Sequence, residues 1–373
     1  MKILISSTLR RPVRPDIFAS RSRIIYQLAD GLCKKGHTVT LLGTGDSYIP
    51  GVKIIPVIDK AFNQLPPVEN PYLEAVAFQI QQAKMLVELQ ADFDIIHNHT
   101  YPDFFPHIIE SELKIPLVTT LHALFDKDYM DQTLSLFKHS HFVALSKAYA
   151  HLYKKTKFHS VVYNGVDTDL YAYHEPKEDY MFWLGRLPKG KDASGEFIDP
   201  KGVRWAIKLA QDTGKRLILG GIVEDKKFFE KDVEPFLNDK IQWIGEVSPE
   251  QSIPAETVVK LMQNAKVFLM TVNQEEPFGL VMAEAMSCGT PVIAFGRGAV
   301  PEIIKNGETG FIVNVLSGEK GLADAVQKLY SLNDSEYKNM QKNGRNRVEE
   351  MFTISKMVEN YEDVYKKLIQ AKY

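Results

Sequence analysis

The stretch from Val267 to Phe295, VFLMTVNQEEPFGLVMAEAMSCGTPVIAF, concentrates residue types that can do chemistry. An apolar strand runs into a polar loop with two acids, Glu275 and Glu276. A helix is expected to start near Pro277, whose missing amide proton costs nothing in a first turn. Glu276 then stands at the helix mouth and Glu284 two turns along it. The backbone amides of Phe278, Gly279 and Leu280 would point out of that helix start, where the macrodipole attracts phosphate and a glycine permits close approach. Two carboxylates so spaced cannot themselves hold a diphosphate, but they can hold hydroxyls on either side of one; a sugar and a ribose are the natural candidates. The plainer alternative makes Glu276 a dipole-complementing first-turn acid and Glu284 a solvated helix residue. Arg186 closes the strand FWLGRL, so its guanidinium would lie at the carboxyl edge of a sheet, able to grip a diphosphate in bidentate fashion.

Together with EAMSCGTPVIAF and GAVPEIIKNGETGFIV, the segment EPFGLVMAE resembles the signature of the family 4 retaining glycosyltransferases, which have the GT-B fold. The order of LADGLCKKGHTVTLLGTGDS, FDIIHNHTYPDFF, IPLVTTLH, VVYNGVDTDLY, FWLGRL, KGVRWAIKLA and IQWIGEV extends the likeness over nearly the whole chain. The resemblance implies that Glu276 contacts a donor sugar, that Glu284 contacts the ribose hydroxyls of its nucleotide, and that Arg186 and a lysine hold the diphosphate. Lys191 has the family's spacing but is followed by Asp192. Lys201 has the family's context, Gly202 and the helix VRWAIKLA, beyond an insertion PKGKDASGEF, and is the preferred assignment. His122 in VTTLH matches the family's Thr-x-His, whose histidine contacts the donor sugar, and a neutral imidazole suits a sugar hydroxyl. The loop after IQWIGEV is expected to line the pocket for the base.

The first loop departs from the family pattern. Ala19 and Ser20 stand where many members have Gly-Gly, which places Ser20 among the substrate contacts. Arg10, Arg11, Arg14, Arg21 and Arg23 crowd the same loop. Some of them are expected to bind an anionic acceptor, such as a lipid phosphate or an acidic sugar, with a solvated basic loop as the plain alternative. All ten histidines lie between His37 and His174, and His97-Asn98-His99 and His139-Ser140-His141 invite a metal reading. It is set aside because alternate strand residues are taken to face opposite sides and no HExxH or cysteine cluster supplies further ligands. No metal or other cofactor is expected, and the donor is a substrate.

Positioning these residues requires strands that alternate with helices, hence parallel sheets with ligands at the carboxyl ends of the strands. The expected architecture is α/β: two Rossmann-like βαβ domains facing across a cleft. The acceptor-side domain spans 1–168 and the nucleotide-sugar domain 178–350, and the family resemblance implies that a closing amphipathic helix in 351–373 crosses back to the first domain. The boundary falls after Asn164-Gly165-Val166-Asp167, at the acidic YHEPKEDY. Among the helices are ones near Phe105 to Glu112, Thr133 to Phe137 and Lys227 to Phe236.

A length of 373 residues with 45% hydrophobic and 25% charged composition suits two globular domains. The 45 Lys and Arg against 47 Asp and Glu give a net charge of −2, without the basic excess that a nucleic-acid partner requires. Cys33 and Cys288 sit in apolar settings and read as free buried thiols, which fits the cytoplasm. MKILISS is too short for a signal-peptide core and reads as a first strand, which leaves peripheral contact with the inner face of a membrane open. No GxGxxG follows the first strand and there is no P-loop, which argues against a nicotinamide enzyme. The expected reaction moves a hexosyl unit from a UDP- or GDP-linked sugar to an acceptor hydroxyl, in glycan, glycolipid or cell-envelope polysaccharide synthesis. The alternatives are a GT-B hydrolase or phosphorylase, or a sugar-nucleotide-binding protein without catalysis.

Overall fold

Short apolar runs such as ILIS, VFLM and VIAF are buried along their length, as central strands covered on both faces must be. The computed structural model describes residues 1–17, 19–66, 68–123, 128–248 and 253–371. Two units emerge, one of residues 1–165 with 354–373 and one of residues 166–353.

The first unit contains strands β1 (Lys2–Ser6), β2 (Thr38–Thr44), β3 (Lys53–Ile58), β4 (Ile95–Asn98), β5 (Leu117–Thr120), β6 (Ser140–Ala144) and β7 (Phe158–Val161). All pair in parallel, in the order β3-β2-β1-β4-β5-β6-β7. Its helices are α1 (Ser20–Lys34), α2 (Pro71–Leu89), α3 (Asp128–Leu134) and α4 (Lys147–His151). The second unit repeats the plan with β8 (Met181–Leu187), β9 (Leu217–Val223), β10 (Ile241–Ile244), β11 (Val267–Met270), β12 (Val292–Phe295) and β13 (Gly310–Val313), ordered β10-β9-β8-β11-β12-β13. Its helices are α5 (Val203–Thr213), α6 (Lys226–Asp232), α7 (Ala255–Asn264), α8 (Leu280–Ser287), α9 (Val300–Ile303), α10 (Gly318–Tyr330) and α11 (Asp334–Met351). The last helix, α12 (Ile354–Gln370), belongs to the first unit, where it packs on α1 and buries Tyr361 and Tyr365 completely. In both sheets the winding direction reverses at one place, between β1 and β4 and between β8 and β11, and ligand crevices form at such switch points.

Several local expectations are corrected. The helix expected over Phe105 to Glu112 is a 3-10 helix. The helix expected near Thr133 to Phe137 lies earlier, as α3. The helix expected to reach Phe236 ends at Asp232, because Pro235 removes an amide donor and leaves only a 3-10 turn at Glu234–Phe236. The acidic stretch after residue 166 is no free linker. Lys177 Nζ donates to Gln263 O at 2.6 Å, Cys288 O at 2.7 Å and Thr290 Oγ1 at 2.9 Å, and burial lowers its pKa to about 8. Both cysteines are free, but only Cys288 is buried, its thiol pushed up to about 12 by desolvation; Cys33 is half-buried.

Candidate active site

In the second unit the loops leaving β8 and β11 converge at the switch point. The insertion after β8 folds into a small hairpin in which Lys191 lies opposite Phe197, its ammonium 4.5 Å from the centre of that ring. Lys201 follows on a segment fixed from several sides. Trp183 Nε1 donates to Lys201 O at 3.3 Å, Asn273 N to Pro200 O at 3.0 Å, Asn273 Nδ2 to Asp199 O at 2.7 Å, and Thr271 Oγ1 to Gly202 O at 2.6 Å. The Lys201 ammonium thereby stands 2.9 Å from Glu276 Oε2. Of the two candidate lysines, Lys201 meets Glu276 and Lys191 does not.

Glu276 is held by the loop after β12. Ala299 N donates to Glu276 O at 2.9 Å, and the neighbouring Glu275 accepts from Gly298 N and lies 3.8 Å from Arg297. Gly298 has φ +54°, and a Cβ there would fall 2.3 Å from Glu276 O, so only glycine lets this loop close on the acid. The segment GAVPE thus supports Glu276 through its backbone, a role its side chains do not advertise.

The helix after β11 starts later than expected. Pro277 precedes it, and α8 begins at Leu280 with Gly279 as N-cap at φ +82°, a left-handed conformation that breaks the turn Pro277 would have begun. Gly279 has no side chain to satisfy the first-turn amides of α8. At α5 the opposite holds, because Asp199 accepts from the amides of Gly202 at 2.8 Å, Val203 at 3.1 Å and Arg204 at 3.0 Å. One helix start at the switch point is therefore closed by a carboxylate, and the other has no side-chain cap. Phe278 is 1% exposed and packs on Phe352, so its side chain is core and only its backbone can face a ligand. Glu284 is 3% exposed on a helix whose other residues are apolar or small. The alternative of a solvated Glu284 fails, and a buried carboxylate in such a helix is informative. Arg186 is more than half exposed and reaches Glu224 at 3.2 Å.

In the first unit, His122 is not alone. His122 Nε2 lies 2.7 Å from His99 Nδ1, His99 Nε2 lies 3.1 Å from His97 Nδ1, and His97 Nδ1 lies 2.6 Å from the Tyr365 hydroxyl of α12. His97 Nε2 faces Thr120 Oγ1 at 2.9 Å, and that hydroxyl meets Tyr361 OH at 2.8 Å. Burial lowers the His97 pKa to about 3; burial and nearby positive groups, Arg21 among them, hold His99 and His122 well below the usual range. Contrary to the expectation of opposite sides, His97 and His99 at positions i and i+2 share a face, with ring centres 3.9 Å apart. Hydroxyls and imidazoles take up the ring nitrogens of His97 and His99, and among the described residues no cluster of three His, Cys, Asp or Glu could hold a metal ion. This chain was legible in part from His-x-His in one strand end and Thr-x-His in the next.

The arginine-rich loop is mostly occupied with its own protein. Arg21 pairs with the fully buried Asp103, donates to the carbonyls of His99 and Thr100, and stacks over Tyr101. Asp103 in turn accepts from His122 N at 3.2 Å, so Arg21 fixes the histidine loops rather than an anionic acceptor. Arg14 pairs with Asp16 at 3.0 Å, and Arg23 also has a partner. Arg10 is exposed and Arg11 half-buried. Ser20 is exposed as the first residue of α1. In the loop after IQWIGEV, residues 249–252 lie outside the described residues.

Comparison with known proteins agrees with this layout. The model for glycosyl transferases group 1 matches residues 193–347, and that for glycosyltransferase family 4 matches residues 22–170. N-acetyl-alpha-D-glucosaminyl L-malate synthase of Bacillus anthracis is 25% identical over 91% of this chain and 91% of its own. Sucrose-phosphate synthase of Thermosynechococcus elongatus superposes with a TM-score of 0.79 at 18% identity, covering 100% of both chains. Anabaena HepE in complex with UDP gives a TM-score of 0.71 at 18% identity, over 99% of this chain and 100% of that one. The chain is a glycosyltransferase of family 4, and its fold is GT-B.

Proposed function

We propose that the chain transfers a hexosyl unit from a UDP- or GDP-linked sugar to an acceptor hydroxyl with retention of anomeric configuration. The observation that carries this reading is the Lys201 ammonium held 2.9 Å from Glu276 at the sheet's switch point, beside the uncapped start of α8. As the bond from the anomeric carbon to the diphosphate breaks, its electron pair moves onto a phosphate oxygen. Fixed positive groups stabilise that charge. Lys201 and Arg186 are the cations, and backbone amides at Phe278, Gly279 and Leu280 add the helix dipole. Glu276 orients the donor sugar while its carboxylate keeps Lys201 in place, and Glu284 takes ribose hydroxyls. The acceptor oxygen bonds to the anomeric carbon on the face the phosphate leaves, and its proton passes to the departing phosphate. His122 contributes a neutral imidazole to a sugar hydroxyl. With protein cations serving the leaving group, the reaction needs no divalent metal, and EDTA should leave activity intact.

HepE, a structural neighbour, binds UDP and UDP-glucose, which supports a nucleotide-sugar donor here. None of the described helices is long and apolar enough to cross a membrane; we place the enzyme in the cytoplasm, serving glycan, glycolipid or envelope polysaccharide synthesis. A thermal-shift panel of UDP-, GDP- and ADP-sugars tests the donor. A rise in melting temperature with a UDP- or GDP-sugar is expected, and no shift with any of them would contradict the reading. Products formed with water or phosphate as acceptor would instead indicate a hydrolase or phosphorylase.

A further inference from the structure

The histidine chain of the first unit has a direction, and Tyr365 sets it. A neutral imidazole carries one donor and one acceptor nitrogen, so an orientation fixed at one end of a hydrogen-bonded row is fixed along it. The Tyr365 hydroxyl is buried and holds its proton, because desolvation raises its pKa well above the usual value. Its one hydrogen-bond partner among the described residues is His97 Nδ1, at 2.6 Å. Tyr365 therefore donates, His97 Nδ1 is a lone-pair nitrogen, and the His97 proton sits on Nε2, facing Thr120 Oγ1. His99 Nε2 lies 3.1 Å from that same lone pair and must carry a proton, since two lone pairs at this distance repel. His99 Nδ1 then accepts, and His122 Nε2, 2.7 Å away, donates to it. The opposite order would strand the Tyr365 proton without an acceptor.

We infer that Tyr365, His97 and His99 are positioning residues that hold His122 as the Nε2–H tautomer, leaving its Nδ1 as a lone pair for a ligand. No described residue bonds that nitrogen. Among the described residues the charged groups around the row are Arg21 and Asp103, which pair with each other, and burial keeps all three imidazoles neutral. A ligand group at His122 Nδ1 must therefore be a hydrogen-bond donor: a hydroxyl fits, whereas a carboxylate or phosphate oxygen would set lone pair against lone pair. That consequence rests on the sugar-transfer reading above; the tautomer itself does not.

The test is a long-range proton–nitrogen correlation spectrum of the full chain, labelled with nitrogen-15 histidine and recorded near neutral pH without ligand. The His122 ring is assigned by its loss in His122→Gln or, should that variant be unstable, by transfer from backbone to ring in the intact chain. A protonated Nε2 and an unprotonated Nδ1 are expected; a protonated Nδ1 would overturn the assignment, whatever the enzyme transfers. Tyr365→Phe should shift the His122 pattern toward the other tautomer, and an unchanged pattern would show that Tyr365 does not set the order. For the consequence at the ligand, His122→Asn keeps an acceptor oxygen at the δ position and His122→Gln carries it at the ε position. Asn should retain the lower KM for the nucleotide sugar, and an equal or reversed order would overturn the acceptor role of Nδ1.

Discussion

The two units share a sheet plan and differ in what they place at its switch point. In the first, a row of neutral histidines and tyrosine hydroxyls is sealed in by an ion pair whose acid, Asp103, is fully buried and whose Arg21 is 16% exposed. In the second, Lys201 and Glu276 are 27% and 11% exposed, and a helix start stands uncapped beside them. A buried pair of this kind holds structure together, because either charge left alone is uncompensated. A pair open to solvent is free to exchange partners with a charged ligand. The same topology thus carries a row of neutral, directional groups in one half and a partly exposed charged pair in the other.

Four perturbations should act differently on the two units. Arg21→Met leaves Asp103 unpaired and should cost about 3–5 kcal/mol of stability, read as a lowered denaturation midpoint. An unchanged midpoint would mean that Asp103 takes its proton at little cost. Glu276→Ala should instead leave the melting temperature close to wild type and reduce transfer by roughly 10²–10³-fold, the scale of losing one electrostatic stabiliser. A variant retaining most of its rate would remove Glu276 from the chemistry. Third is acid. His97 has its folded pKa lowered from 6.5 to about 3, so its contribution is complete above pH 6.5 and is lost as pH falls through that window, by about 2 kcal/mol at pH 5. His107 shifts alike, and both lie in the first unit, so hydrogen exchange at pH 5 should open that unit first. Equal loss in both units would contradict the contrast. The last is Gly298→Ala, where displacement of the Glu276 backbone should slow transfer about tenfold and the left-handed φ should cost about 1–3 kcal/mol of stability.

Much of this was legible in the sequence, and what was not has a common cause. Strands such as β1 and β11 show as apolar runs, and EPFGLVMAE with the EAMSCGTPVIAF and GAVPEIIKNGETGFIV around it shows the family within one stretch of chain. The helix starts are less legible: Pro277 suggests a first turn, but the left-handed Gly279 settles where α8 begins. Asp199-Pro200-Lys201-Gly202 carries a visible capping signal, an acid shortly before a helix, that could have indicated which lysine is held. The clamp on Lys201 by Trp183, Thr271 and Asn273, the closure of Gly298 on Glu276, and the row from His122 to Tyr365 join residues far apart in the chain. Periodicity reports which face of an element is buried, and says nothing of which distant side chain meets it. The arginine-rich loop shows the same limit, since Arg21 reads as a free cation until Asp103 is found beside it.

The central claim, that the open charged pair of the second unit serves the donor's diphosphate, is tested most directly by comparing Lys201→Met with Lys191→Met. Donor KM and transfer rate would be measured on both, with melting temperature as a control. Transfer by Lys201→Met should fall by roughly 10²–10³-fold at near wild-type stability, while Lys191→Met stays within about twofold. Wild-type transfer by Lys201→Met, or its loss in Lys191→Met, would contradict the account.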